Sequence, residues 1–316
     1  MIRIGCVNPD TSHPLAFSKY LLAGERARYV AVYNDGFRDD EQIEAFVRRR
    51  SLEKRCATVE ELADIVDIGF IQNCNWDTHV AHARPFLERG KPVFLDKPTC
   101  GNLADCRELE RLAAGGAVIL GSSSLRYAKE ITALMAQPEE ERGAIVSASG
   151  FIGVDEFNYG CHVVEGLLAL TGPGAESVRF VGRARVGAAT CESFFVRFAS
   201  GVSATYQSFQ GAWQPFNFVA LTTKTTHVVQ VSGDGLYGAM LDRICDYMET
   251  GVSTLATVPE LTEAVKISLA GKASREQGGV EVALAELAED DPGFNGAVFA
   301  EGYGAASSPD LYLGED

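Results

Sequence analysis

The chain has 316 residues, of which 46% are hydrophobic, and a formal net charge of −15 at pH 7. This length is greater than one hydrophobic core usually serves, so we expect a globular protein of two domains. The net negative charge argues against the basic surface that nucleic acids require, and no apolar run is long enough to span a membrane.

The first third of the chain alternates short apolar runs with amphipathic segments. We predict strands at 2–7, 28–34, 67–72, 92–95 and 117–120, and helices at 14–23, 39–51, 58–65, 78–89 and 102–114. Strands separated by helices of this length form parallel βαβ units, which predicts a doubly wound α/β sheet. The N-terminus leads directly into the first strand rather than into a signal segment, so we expect a cytoplasmic protein.

After Gly121 the pattern changes. We predict helices at 126–136, 159–171, 236–250 and 259–276, a strand at 144–152, and alternating strands between about 177 and 232 that form a largely antiparallel sheet. The acidic, glycine-containing end of the chain is expected to wrap the surface or to fray. The predicted division is a nucleotide-binding domain at 1–121, a substrate-binding and oligomerisation domain at 122–287, and a tail at 288–316.

The cysteines do not indicate a disulfide framework or a metal site. The eight of them are scattered without paired spacing, which is typical of buried thiols in a reducing compartment. Cys74, His79, His82 and Cys100 come nearest to a cluster, but their spacing matches no common zinc pattern. We therefore expect no metal.

The strand at 92–95 ends abruptly in Asp96-Lys97-Pro98. In an open α/β sheet the ligand crevice lies beyond the carboxyl ends of the strands, so a charged side chain at such an end points toward substrate. Pro98 restricts the backbone of Lys97 and could support a cis peptide bond. Lys97 is thus a catalytic candidate, and a surface lysine before a turn proline is the competing interpretation.

Several segments in this order resemble the glucose–fructose oxidoreductase, inositol dehydrogenase and rhizopine-catabolism (Gfo/Idh/MocA) family. The segments are Asn75 with His79, the run Glu88-Arg89-Gly90-Lys91-Pro92-Val93, Asp96-Lys97-Pro98, Gly160-Cys161-His162, and the stretch 266–279. The resemblance implies an N-terminal Rossmann domain and a C-terminal α/β domain with an open antiparallel sheet. It also implies NAD(P)-linked hydride transfer on sugars or polyols.

The resemblance places the family's catalytic lysine on Lys97 and its histidine on His162. Asn158 stands where the family has an aspartate, and an amide can orient a histidine but cannot supply a charge. Glu165 lies three residues after His162 on the same helical face and could replace that carboxylate, or it could be an ordinary exposed or capping residue.

The first βα turn departs from the dinucleotide pattern, because Asn8, Asp10 and His13 stand at the three glycine positions. One interpretation is that Thr11, Ser12 or His13 replaces backbone contacts to phosphate. The other is that Thr11 or Ser12 simply caps the helix and that dinucleotide binding is weakened, lost or repurposed.

The end of the second strand favours cofactor binding. Asp35 stands where a ribose 2′-hydroxyl is accepted and a 2′-phosphate is refused, so NAD is favoured over NADP, although Asp35 could also be a turn residue. The full set of expected cofactor contacts is Asn8, Thr11, Ser12, His13, Asp35, Asn75, Asp96 and Lys97. Arg126, Tyr159 and Trp76 are candidates for substrate contacts, and packing is the alternative role of Trp76.

The sequence therefore predicts an NAD-dependent oxidoreductase of sugars, cyclic polyols or related hydroxylated metabolites, with Lys97 and His162 as the polarising and acid/base residues. One alternative is a non-redox enzyme for elimination, isomerisation or hydrolysis on the same scaffold. A second is a catalytically silent binding protein. The resemblance also implies a homodimer or homotetramer formed through the C-terminal sheet.

Overall fold

The computed structural model describes residues 1–308 and 310–313. The strands are β1 (Ile2–Val7), β2 (Ala27–Tyr33), β3 (Lys54–Arg55), β4 (Ile68–Ile71), β5 (Val93–Asp96), β6 (Ile119–Ser122), β7 (Ile145–Gly153), β8 (Ala175–Val186), β9 (Ala189–Phe198), β10 (Ser203–Gln210), β11 (Asn217–Thr222), β12 (Thr226–Gln230) and β13 (Val282–Ala283).

The helices are α1 (His13–Ala23), α2 (Asp40–Arg49), α3 (Val59–Ile65), α4 (His79–Leu87), α5 (Leu103–Ala114), α6 (Lys129–Met135), α7 (Glu139–Arg142), α8 (Gly160–Thr171), α9 (Leu236–Thr250), α10 (Val258–Glu276), α11 (Gly296–Ala306) and α12 (Asp310–Leu313). Short 3-10 helices cover Trp76–Thr78, Ser124–Tyr127 and Leu284–Glu286.

The first sheet has the strand order β3-β2-β1-β4-β5-β6, and all its pairs are parallel. Its central strands are nearly continuous runs of buried apolar residues, because helices cover both faces of a parallel sheet. The chain order reverses direction at β1, and at such a point the carboxyl ends of neighbouring strands open a crevice. The predicted doubly wound sheet is confirmed.

The second sheet has the order β12-β11-β7-β10-β9-β8-β13. Only β7 and β10 pair in parallel, so the prediction of a largely antiparallel sheet is also confirmed. Helix α8 packs on this sheet, and Gly166 lets the ring of Phe218 on β11 approach the helix closely. Lys97 at the carboxyl edge of the first sheet bonds to Asn158, two residues before α8, so the amino end of this helix lies beside that edge.

The structure differs from the sequence predictions in four local details. The predicted helix at 126–136 is two pieces, because Ala128 adopts an extended backbone (φ −52°, ψ 135°) between the turn 124–127 and α6. The polar break around 138–143 contains the short helix α7, and the two-residue strand β3 was not predicted. The tail does wrap the surface, but as two helices that fix it in place: Tyr312 on α12 is 0% exposed.

Candidate active site

Lys97 follows the last residue of β5 and lies at the carboxyl edge of the parallel sheet, and the Lys97–Pro98 peptide bond is cis. Its Nζ donates to Asn158 through two oxygens, the side-chain Oδ1 at 2.8 Å and the backbone carbonyl at 3.3 Å. The same Nζ lies 5.3 Å from the ring centre of Tyr159. Asn158, which stands where the family has an aspartate, thus holds Lys97 with a neutral amide instead of a carboxylate.

His162 lies in the first turn of α8, and its ring is in edge-to-face contact with Tyr159 (5.9 Å between centroids) and with Phe216 (5.6 Å). Its Nδ1 is 2.6 Å from the hydroxyl of Ser123, which fixes the ring orientation. Burial lowers the pKa of His162 well below its ordinary value, and the electrostatic effects of Lys97 and His13 lower it further. His162 is therefore neutral at pH 7.

Glu165 and Arg126 form a buried ion pair rather than two separate ligand contacts. Arg126 Nε donates to Glu165 Oε2 at 2.9 Å, and both side chains are less than a tenth exposed. The other Glu165 oxygen accepts from the Ser122 hydroxyl and from the backbone N–H of Ser123. The structure thus pairs Glu165 and Arg126 with each other, and the catalytic role of Glu165 and the substrate contact of Arg126 stay predictions. The pair fixes the strand end that carries Ser123.

Asp96 pairs with the first turn of α1. Its Oδ2 lies 2.7 Å from His13 Nδ1, and its Oδ1 accepts the backbone N–H of Lys97 at 2.8 Å. Burial raises the pKa of Asp96, but the interactions with His13 and Lys97 outweigh it, so the pKa is lower than usual and the carboxylate is charged. His13 also stacks on Phe17 at 5.3 Å between ring centroids. The predicted cofactor contacts His13 and Asp96 thus bind each other.

The glycine-free first loop is stabilised by the backbone conformation of Asn8 and by hydrogen bonds to neighbouring segments. Asn8 takes a left-handed backbone (φ 53°), which asparagine tolerates better than most residues, so it replaces the first glycine of the usual turn. Its side chain exchanges two hydrogen bonds with Asp35, at 2.6 and 2.8 Å. Thr11 is engaged on both sides, because its Oγ accepts from the His13 N–H and its carbonyl accepts from Tyr312 Oη. Ser12 remains exposed and its side chain makes no capping bond.

Asp10 occupies the second glycine position and is buried, with 2% exposure. Its Oδ2 accepts the backbone N–H of Cys74 at 3.0 Å, while its Oδ1 has no partner. Burial raises the pKa of this carboxyl to about 6, against the opposing effects of the Cys74 bonds and of the Arg38 charge. Oδ1 lies so close to Gly36 that a Cβ there would come within 2.3 Å, which explains glycine at that position.

Asp35 lies two residues beyond the end of β2 and borders a cavity of about 250 Å³. The bond from His82 contributes most to lowering the pKa of Asp35, to about 2, so the carboxylate is charged. Asn75 also lines this cavity, where its side chain caps the turn 76–78. Helix α11 supplies Ala300 and Glu301 as the outer wall.

Trp76 does not face this cavity with a free ring. It is 2% exposed, packs against Phe157 and Phe299, and donates its indole N–H to the Phe294 carbonyl at 2.6 Å. Its predicted stacking on a ligand is therefore replaced by packing against the C-terminal segment. Residues such as Arg38 and Tyr312, which join the first loop to that segment, gave no signal in the sequence because their partners are far away along the chain.

Residues 15–124 match the model of an oxidoreductase family with an NAD-binding Rossmann fold, GFO_IDH_MocA. The match begins just after the glycine-free loop, so the part of the family pattern that this chain lacks lies outside it. The expectation of an oxidoreductase scaffold is thereby confirmed at the level of the family.

Solved structures agree with this fold over most of the chain. A probable dehydrogenase from Thermotoga maritima aligns with a TM-score of 0.77 and 16% identity, covering 91% of this chain and 100% of the other. Myo-inositol 2-dehydrogenase from Lactobacillus plantarum aligns with a TM-score of 0.73 and 16% identity, covering 89% of this chain and 99% of the other. GenD2 from gentamicin A biosynthesis, in complex with NAD, aligns with a TM-score of 0.74 and 16% identity, covering 89% of this chain and 96% of the other. No curated protein matches the sequence.

Within the residues that the structure describes, no group of three or more His, Cys, Asp or Glu side chains could hold a metal ion. In the same residues, no helix combines the length and apolar character needed to cross a membrane.

The cavity at Asp35 fits the nucleoside end of NAD. Asp35 is charged and half-exposed, and Asp10 and Asn73 each have a buried side-chain oxygen without a partner. These are acceptors, and a nucleoside offers hydroxyl and amino donors. Phosphate would have to pass the loop 8–13, where only the exposed Ser12 and the first turn of α1 offer contacts.

Proposed function

We propose that this protein is an NAD-dependent oxidoreductase that transfers hydride to or from a sugar, a cyclic polyol or a related hydroxylated metabolite. The observation that carries the proposal is the meeting of Lys97 and His162 around Tyr159 at the carboxyl edge of the parallel sheet. The family of residues 15–124, and the dehydrogenases among the structural neighbours, support the same class.

Lys97 polarises the reacting oxygen in this proposal. An ammonium group has three N–H donors, and Asn158 accepts through two oxygens, which leaves a donor for a substrate oxygen. The positive charge stabilises the alkoxide that develops as the carbon–hydrogen bond breaks. Because Asn158 is neutral, it positions Lys97 without cancelling this charge.

His162 exchanges the hydroxyl proton. It is neutral at pH 7, so its ring can accept a proton as an alcohol is oxidised and return it in the reverse direction. Ser123 holds Nδ1, which leaves Nε2 as the atom for this exchange. When bound, NAD supplies the acceptor or donor of the hydride. Asp35 would hold a ribose hydroxyl, and its negative charge favours NAD over NADP.

A binding and activity experiment tests this proposal. NADH is titrated into the purified protein and followed by nucleotide fluorescence, and NAD⁺ reduction is then measured with a panel of inositols and sugars. We expect saturable NADH binding, and a loss of at least about 100-fold in kcat/KM for Lys97→Met. Lys129→Met, at an exposed lysine on α6, is the matched control. A folded sample with no saturable NADH binding below millimolar concentration removes NAD from the proposal.

The pair of His13 and Asp96 favours a second candidate, a proton-transfer enzyme without hydride transfer. A carboxylate bonded to Nδ1 holds a ring proton there and orients Nε2 of His13 for proton exchange. Asp96 contacts both His13 and the backbone N–H of Lys97, so His13 lies at the same edge of the parallel sheet as Lys97. Substrate turnover with no added NAD⁺, in protein shown by mass spectrometry to hold no nucleotide, would favour this candidate. Strict dependence on NAD⁺ rejects it.

The C-terminal sheet is proposed to form the homodimer or homotetramer interface. Its strands expose Val181 and Val186 on β8 (64% and 81%), Leu221 on β11 (46%) and Val228 on β12 (67%). Exposed apolar side chains along a sheet are typical of a surface that a partner covers. Native mass spectrometry gives the subunit number, and Val228→Lys is expected to shift it toward the monomer. A monomeric wild-type protein contradicts this part of the proposal.

A further inference from the structure

The last helices of the chain lie across the carboxyl edge of the parallel sheet. Residues 294–308 and 310–313, which include α11 and α12, are called here the C-terminal segment. In a doubly wound sheet a dinucleotide lies along this edge, at the point where the strand order reverses. That point is β1, whose neighbours in the sheet are β2 and β4. Contacts of the C-terminal segment with the loops after these three strands therefore bear on access to the crevice.

The C-terminal segment begins beside the turn that carries Asn158. Phe294 stacks on Phe157, with 4.1 Å between the ring centroids, and Phe157 directly precedes Asn158 in the chain. Beyond the end of β4, the carboxylate of Asp77 accepts the backbone N–H of Gly296 at 2.9 Å. The first part of the segment thus joins the turn before α8 to the loop after β4.

The rest of the segment covers the loop after β2 and ends on the loop after β1. Tyr303 on α11 packs against Phe37, with 6.2 Å between the ring centroids. Tyr312 on α12 is 0% exposed and donates to the Thr11 carbonyl at 2.8 Å. The segment therefore contacts the loops after β4, β2 and β1 in turn, which is the course that an extended dinucleotide takes along this edge.

Too little space remains beneath the segment for a dinucleotide. The cavity between α11 and the loops after β1, β2 and β4 has a volume of about 250 Å³, and Ala300 and Glu301 of α11 form part of its wall. Sites for single drug-sized ligands have volumes of roughly 300–1,000 Å³, and NAD is larger than such a ligand. The whole dinucleotide therefore does not fit while α11 keeps this position.

We propose that the C-terminal segment is an autoinhibitory latch, which excludes NAD(H) from the crevice until it detaches from the loops after β1, β2 and β4. This inference rests on the proposed function, because it concerns access of the same cofactor to the same site. Of the described residues in the segment, only Gly296 and Tyr312 are buried. Elements with few buried contacts open at a low cost in free energy, so the latch can release without unfolding the two sheets.

A reversible cross-link tests the exclusion. A Cβ at Gly304 would lie 3.4 Å from the Cβ of Phe37, close to the roughly 3.5–4.5 Å found in disulfides, so Phe37→Cys with Gly304→Cys can lock the latch. NADH association is followed by stopped-flow fluorescence before and after reduction with dithiothreitol, and mass spectrometry identifies the cross-link. We expect at least about 100-fold slower association in the cross-linked form, because it has almost no open fraction. Phe37→Cys alone, and the wild type with its eight cysteines, should not respond to dithiothreitol.

Loosening the latch should have the opposite effect. Phe299 on α11 packs against Trp76, with 4.8 Å between the ring centroids, and Phe299→Ala removes this contact. Because NADH binds only the open fraction, we expect its association rate to rise about tenfold. Val298→Ala, at a side chain that is 65% exposed on the same helix, is the matched control and should leave the rate unchanged.

Amide hydrogen exchange gives a readout that does not depend on a substitution. Saturating NADH should speed exchange in residues 296–306 of the wild type, because the bound cofactor holds the latch open. A segment that closes over the cofactor would show slower exchange in the same residues.

The outcomes separate this inference from the proposed function. If the cross-linked protein binds NADH as fast as its reduced form, if folded Phe299→Ala protein binds at the wild-type rate, or if NADH slows exchange in 296–306, the inference is wrong and the proposed function stands. If the latch responds as expected but no inositol or sugar reduces NAD⁺, the inference stands and the proposed reaction fails. If NADH binds neither the wild type nor folded Phe299→Ala protein, both are rejected.

Discussion

Asp10→Asn should stabilise the fold at neutral and alkaline pH, because Asp10 is a buried carboxyl with one unpartnered oxygen. Burial raises its pKa from the ordinary value of 3.8 to about 6. A raised carboxyl pKa means that the folded state binds the proton more tightly than the unfolded state does. The wild type therefore loses stability as pH rises from about 4 to 6, and an asparagine has no such loss.

The size of the effect follows from this difference. At about 1.4 kcal/mol per pH unit, the step from 3.8 to about 6 corresponds to about 3 kcal/mol at pH 8. The asparagine oxygen can still accept the N–H of Cys74, but its NH₂ then replaces the unpartnered oxygen, which costs about 1 kcal/mol. We expect a net gain of about 2 kcal/mol at pH 8 that falls below about 1 kcal/mol at pH 5.

Urea unfolding at pH 8, 7, 6 and 5 measures this difference, with equal m-values showing that the two proteins unfold alike. Asp40→Asn is the control, because that carboxylate is 85% exposed and lies outside the cavity. We expect its effect to be small and independent of pH. A destabilised Asp10→Asn protein at pH 8, or a difference that does not change with pH, would refute the reasoning from burial.

Three further outcomes test the site. Glu165→Leu should destabilise the protein by about 3–5 kcal/mol in urea unfolding, because Arg126 is left buried without its counter-ion; a loss below about 1 kcal/mol contradicts the ion pair. Tyr312→Phe should cost about 1 kcal/mol for its one hydrogen bond, whereas Tyr312→Ala should cost about 3–5 kcal/mol and expose the tail to proteases; equal costs contradict the packing of this ring. The ¹³C resonance of the His162 ring, assigned with His162→Asn, should not titrate between pH 6 and 8, because its pKa is lowered; a midpoint in that range contradicts its neutral state.

Local patterns were sufficient for the architecture of this protein. Alternating apolar and amphipathic runs of strand and helix length predicted the parallel sheet, and the period-2 pattern of 193–198 and 202–206 predicted the antiparallel one. The change of character at β5, from buried apolar residues to Asp96 and Lys97, marked the edge of the sheet where the site lies. These patterns depend only on residues close together in the chain, so the sequence alone is enough to recognise them.

The pairing of side chains was decided by the tertiary structure. The sequence singled out Arg126 and Glu165 separately, but only the fold brings them together, 39 residues apart, as one buried pair. His13 was one of three candidates for a phosphate contact, and only the fold shows that it pairs with Asp96, 83 residues away. A carboxylate pairs with whichever cationic side chain the packing brings near it. The distance in space between two such side chains cannot be read from composition or from their spacing along the chain.

Two sheets, a polar edge at Asp96 and Lys97, and a first loop without glycine can all be recognised from the amino-acid pattern alone. The tertiary structure decided how that loop is accommodated, through the left-handed backbone of Asn8 and the burial of Asp10 against Gly36. It also placed the C-terminal helices over the cavity, where Tyr312 donates to a carbonyl 301 residues earlier in the chain. The physical reason is that strands and helices follow local periodicity, whereas the environment of a buried charge depends on every segment packed around it.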